Sequence, residues 1–392
     1  MRKHDCILTI NAGSSSIRFA QYTKQNELQQ NFSGKIEGIG SKNAIFTINQ
    51  NNDKREKEID ASNFHNATIS LIDWFEKQAW FNNVKAIGHR IVYGIKHTHA
   101  EIIMDDLLKE LNNITGYDPD HLPAEIDIIQ TIQKKHSQLL QVACFDTAFH
   151  TTIPPVAKTF AIPKKYYDEG IQRYGFHGIS YCYLMQELRK QNKAEANGKI
   201  ILAHLGSGAS IAAVKAGKCL DTSMGFTPAD GIVMSTRSGD LDPGVAWYLM
   251  QQGMDANAFN DLINHQSGLL GISGLSADMK VLLQHEKDNK DAALAIDIFC
   301  YQIKKYIGAY TAALGGLDTL IFTGGIGENA SVIRSRICAG FGYAGISLNE
   351  DKNNKNERLI SNNKSKIKVH VIPTNEELMM AHFVDNILKN RR

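Results

Sequence analysis

Two arginines sit where a transferring phosphoryl group could be handled. Arg90 ends Gly88-His89-Arg90, just past a short apolar run, and Arg237 lies in the small-residue loop Ser235-Thr236-Arg237-Ser238-Gly239-Asp240. A guanidinium is planar and donates to two oxygens at once, which suits carboxylate and phosphate alike. A surface ion pair is the ordinary fate of a single arginine, yet both of these are flanked by Gly or Ser rather than by the charged partners of a solvated helix. Asp146, in Phe145-Asp146-Thr147-Ala148-Phe149-His150, directly follows an apolar run; its carboxylate either holds a metal or orients a nucleophile, or it caps the next helix. His177 is pinned between glycines in Tyr174-Gly175-Phe176-His177-Gly178, which leaves a catalytic and a structural role open. Asp146 and His150 share helical i, i+4 spacing, but a metal pair needs further ligands that do not stand out.

Three Gly/Ser-rich turns follow apolar segments: residues 11–16, 205–210 and 323–329. Glycine lets the backbone approach an anion closely, and consecutive N–H groups with small hydroxyls donate to phosphate oxygens. One such turn means little, because Gly and Ser are ordinary turn formers. Three of them, two alike, point to a phosphate ligand. No G-x-x-x-x-G-K-[ST] occurs and Gly206-Ser207-Gly208 is not completed as G-x-G-x-x-G, so neither a P-loop nor a dinucleotide fingerprint is present.

The elements that must position these residues read as α/β. Ile7-Leu8-Thr9-Ile10, a tight turn and Ile17-Arg18-Phe19-Ala20 form one strand–turn–strand unit, and the same grammar returns 194 residues later at Ile201. That period is far too long for a solenoid and suggests two duplicated domains. Between the copies, apolar strands at 86–88 and 142–145 alternate with helical stretches such as 125–135; a helix over 292–314 precedes a strand at 319–322, and a last helix starts near Glu376. The charged, Asn-rich stretches 49–60 and 349–368 read as solvated loops or hairpins without function.

With 392 residues, 43% hydrophobic, the chain is long enough for two or three domains. Lys+Arg 43 against Asp+Glu 41 argues against a non-specific nucleic-acid binder. No membrane span or signal peptide is apparent, and the six scattered cysteines read as reduced core residues, so a cytoplasmic protein is expected.

Seven ordered motifs together resemble the acetate kinase family, within the superfamily of acetate and sugar kinases, heat-shock chaperone ATPases and actin. They are Ile10-Asn11-Ala12-Gly13-Ser14-Ser15-Ser16, Gly88-His89-Arg90, the segments around Asp146 and His177, Asp221-Thr222-Ser223-Met224-Gly225-Phe226-Thr227-Pro228, Gly324-Gly325-Ile326-Gly327-Glu328-Asn329 and Pro373-Thr374-Asn375-Glu376-Glu377-Leu378. The resemblance implies two duplicated ribonuclease-H-like domains (the actin-like ATPase fold) around a cleft: 1–149 with the C-terminal helix 379–392, and 150–378 carrying the nucleotide site. It also implies a homodimer and reversible, magnesium-dependent transfer of the ATP γ-phosphoryl group to acetate, with manganese as a substitute ion, giving acetyl phosphate and ADP. Carried over by position, Arg90 and Arg237 bind the acyl carboxylate and stabilise the migrating group, His177 and His121 assist, and Val92, Phe176 and Pro228 form the acyl pocket. Asn11 helps hold phosphate and, with Asp146 and Glu376, organises the metal. Ser15, the turn His204-Leu205-Gly206-Ser207-Gly208, the segment Asp278-Met279-Lys280, and Gly325, Ile326, Gly327 and Asn329 line the nucleotide site.

Three positions depart from the family pattern: Ser207 stands for Asn, Lys280 for Arg, and Asp118-Pro119-Asp120-His121-Leu122-Pro123 replaces the usual run around the histidine. Lys cannot stack or fork as Arg does, so nucleotide contacts weaken. Asp120 falls where an apolar residue completes the acyl pocket; turned to solvent, it leaves acetate first and propionate second, since one methylene shifts discrimination by only about 1–3 kcal/mol. A sugar kinase would need a carboxylate base against an alcohol, and an actin-like or chaperone-like ATPase would turn over ATP without acetate. The cationic set of Arg90, Arg237, His121 and His177 favours a carboxylate acceptor, which is already ionised and needs no strong base.

Overall fold

The structure is a computed structural model that describes residues 5–13, 15–24, 26–41, 43–50 and 53–391. Ser14 of the first turn, the N-terminal Met1-Arg2-Lys3-His4, and Asn51 and Asn52 of the first charged stretch lie outside the described residues. The chain forms two compact units, Met1–Ala148 with Asn375–Arg392, and Phe149–Thr374.

The first unit is built on β1 (Cys6–Ala12), β2 (Ser16–Lys24), β3 (Leu28–Glu37), β4 (Ala44–Gln50), β5 (Asp53–Ile59), β6 (Val84–Ile91), β7 (Glu101–Ile102) and β8 (Leu140–Phe145), in the order β5-β4-β3-β2-β1-β6-β8-β7. The second carries β9 (Lys199–Leu205), β10 (Ala209–Lys215), β11 (Lys218–Thr222), β12 (Thr319–Thr323) and β13 (Lys368–Val371), in the order β11-β10-β9-β12-β13. Five strands of the first sheet, β3-β2-β1-β6-β8, repeat that order with the same directions: two antiparallel pairings, then two parallel ones. The repeat at offset 194 is therefore a duplicated topology.

Burial explains the composition of each strand. β1, β9 and β12 are covered on both faces and read as nearly continuous apolar runs. The edge strand β5, Asp-Lys-Arg-Glu-Lys-Glu-Ile, is almost wholly exposed, and its charges discourage pairing with another sheet. Beneath β2–β4, Phe19, Phe32, Phe46 and Phe75 pack with Trp74 and Trp80 in stacked, tilted and edge-on contacts that join the helix Phe64–Glu76 to the sheet.

The chain returns to the first unit through the helix Glu376–Asn390, whose N-cap Asn375 accepts from Leu378 N at 2.9 Å. Met380, Ala381 and Val384 bury its inner face, so the position of Glu376 is set by packing a full helix. The stretch 349–368 differs from the solvated loop its composition suggests. A short helix, Glu350–Asn354, forms there, and Asn353 is fully buried with its amide oxygen accepting from Arg334 Nε at 2.8 Å. The charged residues around Asn353 hide that inward position, and Ile360 and Ile367 are buried further along. Among the described residues no helix is long and apolar enough to cross a membrane.

Candidate active site

In the first unit the candidate residues converge because β1, β6 and β8 are adjacent and parallel. Register pairs Ile10 with His89 and Arg90 with Cys144. Asn11, Arg90 and Asp146 thus all leave the carboxyl ends of neighbouring strands, the edge where open α/β sheets bind ligands. Arg90 Nη2 donates to Asp146 Oδ2 at 2.8 Å, and Asn11 Nδ2 donates to Glu376 Oε2 at 3.1 Å. Asp146 is fully buried, and its N–H continues the sheet by donating to Ile91 O. Its carboxylate meets an arginine.

A further acid completes the cluster. Glu125, on the helix Leu122–Lys135, is buried, accepts from Val92 N at 3.1 and 3.2 Å, and lies 4.0 Å from Arg90 Nη1. Its helical spacing among isoleucines places it on the apolar face, the one signal of its role that the sequence carries. One turn earlier His121 Nδ1 meets the buried Asp118 at 2.9 Å, which fixes the ring. Asp120 beside them is half-buried.

Charge in this cluster is finely set. Burial opposes the charge on Arg90, but Asp146, Glu376 and Glu125 together raise its pKa above the usual range. Burial pushes Glu125 up to about 8, against the pull of Arg90. Burial also raises Glu376; Arg90 opposes this and the Asp146 charge adds to it. Two carboxylates and one amide oxygen, with repulsion between the acids, form a donor set that a hydrated divalent cation fits. Magnesium takes one or two carboxylates and completes its shell with water and phosphate oxygens. No group of three or more His, Cys, Asp or Glu placed to hold a metal occurs among the described residues.

The second unit gathers the other candidates at the ends of β9 and β12, which pair in parallel with Thr323 opposite His204. The turn Leu205-Gly206-Ser207-Gly208 joins β9 to β10, and Gly324-Gly325 follows β12. Gly324, at φ +77, lies so near β9 that a Cβ would come 2.6 Å from Leu205 O. Only glycine lets these two turns share one edge. Glu328 accepts from Gly324 N and Thr374 N, tying the second turn down.

Gly208 is where the catalytic candidates of this unit meet. A Cβ there would stand 3.2 Å from His177 Nε2 and 3.8 Å from Arg237 Nη1. His177 Nδ1 pairs with Ser210 Oγ at 2.9 Å, Ser210 with Tyr181 OH, and the His177 ring stacks on His204 at 4.2 Å. His204 in turn meets Ser180, which reaches Thr374. Arg237 is half-buried; its loop is fastened by Met234 N to Arg237 O, Ser235 N to Ser207 O, and Arg237 Nη1 to Pro228 O at 3.5 Å. Ser210 closes the second Gly/Ser-rich turn of the sequence, whereas Ser180 and Tyr181 carry no sequence signal, being ordinary helix residues until folded.

The remaining candidates fall as follows. Val92 and Phe176 are buried, one in each unit, and Pro228 is half-buried. Ser15 is exposed; Ile326 is half-buried and Gly327 buried. Asn329 Nδ2 donates to Gly325 O. Asp278 caps the helix Met279–His285 by accepting from Lys280 N at 2.8 Å; Met279 is buried and Lys280 exposed.

Comparison with known proteins finds relatives along the whole chain. The model of the acetokinase family matches residues 6–382. The acetate kinase of Rickettsia felis is 42% identical over 98% of this chain and 100% of its own length. A crystal structure of Porphyromonas gingivalis acetate kinase superposes with a TM-score of 0.88 at 35% identity, covering 98% of this chain and 100% of that one. A propionate kinase from Francisella tularensis superposes with a TM-score of 0.91 at 37% identity, covering 97% and 98%.

Proposed function

The chain belongs to the acetokinase family and is an ATP:acetate phosphotransferase, and on that premise we propose that the γ-phosphoryl group passes directly and in line from ATP to the acetate carboxylate. The observation that carries the site assignment is that Gly208 has His177 Nε2 and Arg237 beside it, while Arg90 is held between Asp146 and Glu125.

An acetate ion is already nucleophilic at neutral pH, so the barrier is electrostatic: two anions must approach. Arg90 and Arg237 bind the acyl carboxylate and neutralise charge as it moves to the transferring oxygens. His177, steadied by Ser210 and by the His204 stack, donates to the migrating group, and His121, oriented by Asp118, assists. The N–H groups around Gly206 and Gly208 and the Ser207 hydroxyl hold the ATP phosphates. Ser15, Asp278, Met279, Lys280, Gly325, Ile326, Gly327 and Asn329 complete the nucleotide site. Asp146 and Glu376, with Asn11, hold magnesium or manganese, which when bound supplies positive charge against the phosphate oxygens. Val92, Phe176 and Pro228 wall the acyl group, with acetate preferred and propionate next. The protein acts as a homodimer on cytoplasmic substrates.

Hydroxylamine trapping tests the transfer. With ATP, magnesium and acetate, the acyl phosphate should appear as acetohydroxamate; ATP consumption without hydroxamate would defeat this function. Propionate and butyrate in the same assay rank the acyl pocket.

A further inference from the structure

His150 is a histidine of the Asp146 segment that the transfer proposed above does not use, and it is 1% exposed inside the second unit. Its Nε2 lies 2.9 Å from Phe176 O and its Nδ1 lies 3.3 Å from Cys219 Sγ. A carbonyl oxygen only accepts, so the ring carries its proton on Nε2 and donates to Phe176. Nδ1 is then the acceptor side of the ring and faces the Cys219 sulfur. Burial holds the Cys219 thiol well above its usual range, and its S–H donates to Asp221 O at 3.4 Å. The Phe176 carbonyl thereby selects the tautomer.

What is gripped is a strained turn. Gly175 is closed in by this same imidazole, since a Cβ would come 2.7 Å from His150 Cγ and 2.5 Å from Thr222 Cγ2. Two residues on, His177 adopts φ 58 and ψ 23, a left-handed conformation that a side-chain-bearing residue takes at a cost. Such backbone persists only where its surroundings over-determine it. The His150–Phe176 bond is a side-chain contact that pins the peptide just ahead of His177.

We propose that His150 is a positioning residue, which fixes the Phe176 peptide and through it the left-handed turn that presents His177 to the transferring phosphoryl group. This rests on the assignment of His177 to that group. It goes further in giving a role to a side chain that the transfer itself does not use.

Steady-state kinetics on the full-length protein test it, with His150→Ala, His150→Gln, His150→Asn, His177→Ala and the double variant His150→Ala/His177→Ala, alongside ADP calorimetry. His150→Ala should lower kcat by about tenfold to a hundredfold, the scale of misplacing a catalytic group, while ADP affinity stays within about threefold. Gln extends an N–H to the region of imidazole Nε2 and should restore most of the loss; Asn is too short and should not. In the His177→Ala background, removing His150 should cost less than about threefold, because the two act through one contact. The same large loss in both backgrounds, a parallel fall in ADP affinity, or near-normal kcat in His150→Ala would overturn the proposal. If the alanine variant does not fold, equal turnover of the Gln and Asn variants overturns it. Near-normal kcat in His177→Ala alone would instead defeat the role given to His177.

Discussion

At Arg90 one guanidinium answers Asp146 at 2.8 Å and Glu125 at 4.0 Å while facing Glu376. Arg90→Ala and Arg237→Ala should each lower kcat by about two or more orders of magnitude, the scale of losing one preorganised charge contact. The two variants should part company in stability. Removing Arg90 leaves buried acids uncompensated, a loss of about 3–5 kcal/mol in urea denaturation, whereas the Arg237 loop should unfold close to wild type. Near-normal turnover in both would overturn their assignment.

Glu125 gives a second test at this scale. An unfolded glutamate releases its proton near pH 4.3, to order of magnitude, but the folded one does so at about 8. Between those values the folded state holds the extra proton, so stability falls as pH rises. Urea titrations of wild type and Glu125→Gln across pH 5 to 8 should show their difference shifting by roughly 2–5 kcal/mol toward the variant. A pH-independent difference would mean that Glu125 is not held protonated. Arg90 and Arg237 stand out in the sequence because Gly88 precedes the first by two residues and Ser238 adjoins the second, with no acidic residue immediately beside either. Glu125 does not, because helical spacing among isoleucines puts it on the apolar face but names no partner for its carboxyl group.

At the scale of elements, both halves use one device: a strand ends, a small-residue turn opens, and the adjoining parallel strand delivers a second group to the same edge. The turns and their repetition could be read directly, since glycine and serine spacing is local information. The pairing of β9 with β12, which brings Gly324 against Leu205, could not, because it joins segments more than a hundred residues apart. Two glycines separate chemistry from folding. Gly208→Ala places a methyl 3.2 Å from His177 Nε2, and should reduce kcat at least tenfold with a melting temperature near wild type, to order of magnitude. Gly324→Ala sets a side chain at φ +77 against backbone 2.6 Å away, and should destabilise by about 1–3 kcal/mol. Calorimetric melts beside kcat distinguish the two, and equal Tm losses would contradict the assignment of Gly208 to the site.

For the whole molecule, the second unit carries an apolar surface that its own core does not use. The helix Pro243–Gln251, Pro-Gly-Val-Ala-Trp-Tyr-Leu-Met-Gln, has no buried residue, and Trp247 and Tyr248 stand 66% and 59% exposed. Single exposed hydrophobics are unremarkable, but a helix with Val245, Trp247, Tyr248 and Met250 all open to solvent, preceded by exposed Leu241, concentrates apolar surface of the kind that marks an interface. Aromatic residues and Met are enriched at such interfaces and Lys and Glu depleted, and this helix contains no charge at all. A second copy of the chain is the partner that the proposed homodimer supplies. Trp247→Glu with Tyr248→Glu should then convert the dimer to a monomer in light scattering, because a buried like-charge pair on each side of a symmetric interface is repeated by the symmetry. Each monomer should keep its transfer activity if Arg90, Arg237 and His177 all act within one chain. A double variant that remains dimeric would place the self-association surface elsewhere, and a wild-type chain that scatters as a monomer would remove the proposed homodimer itself.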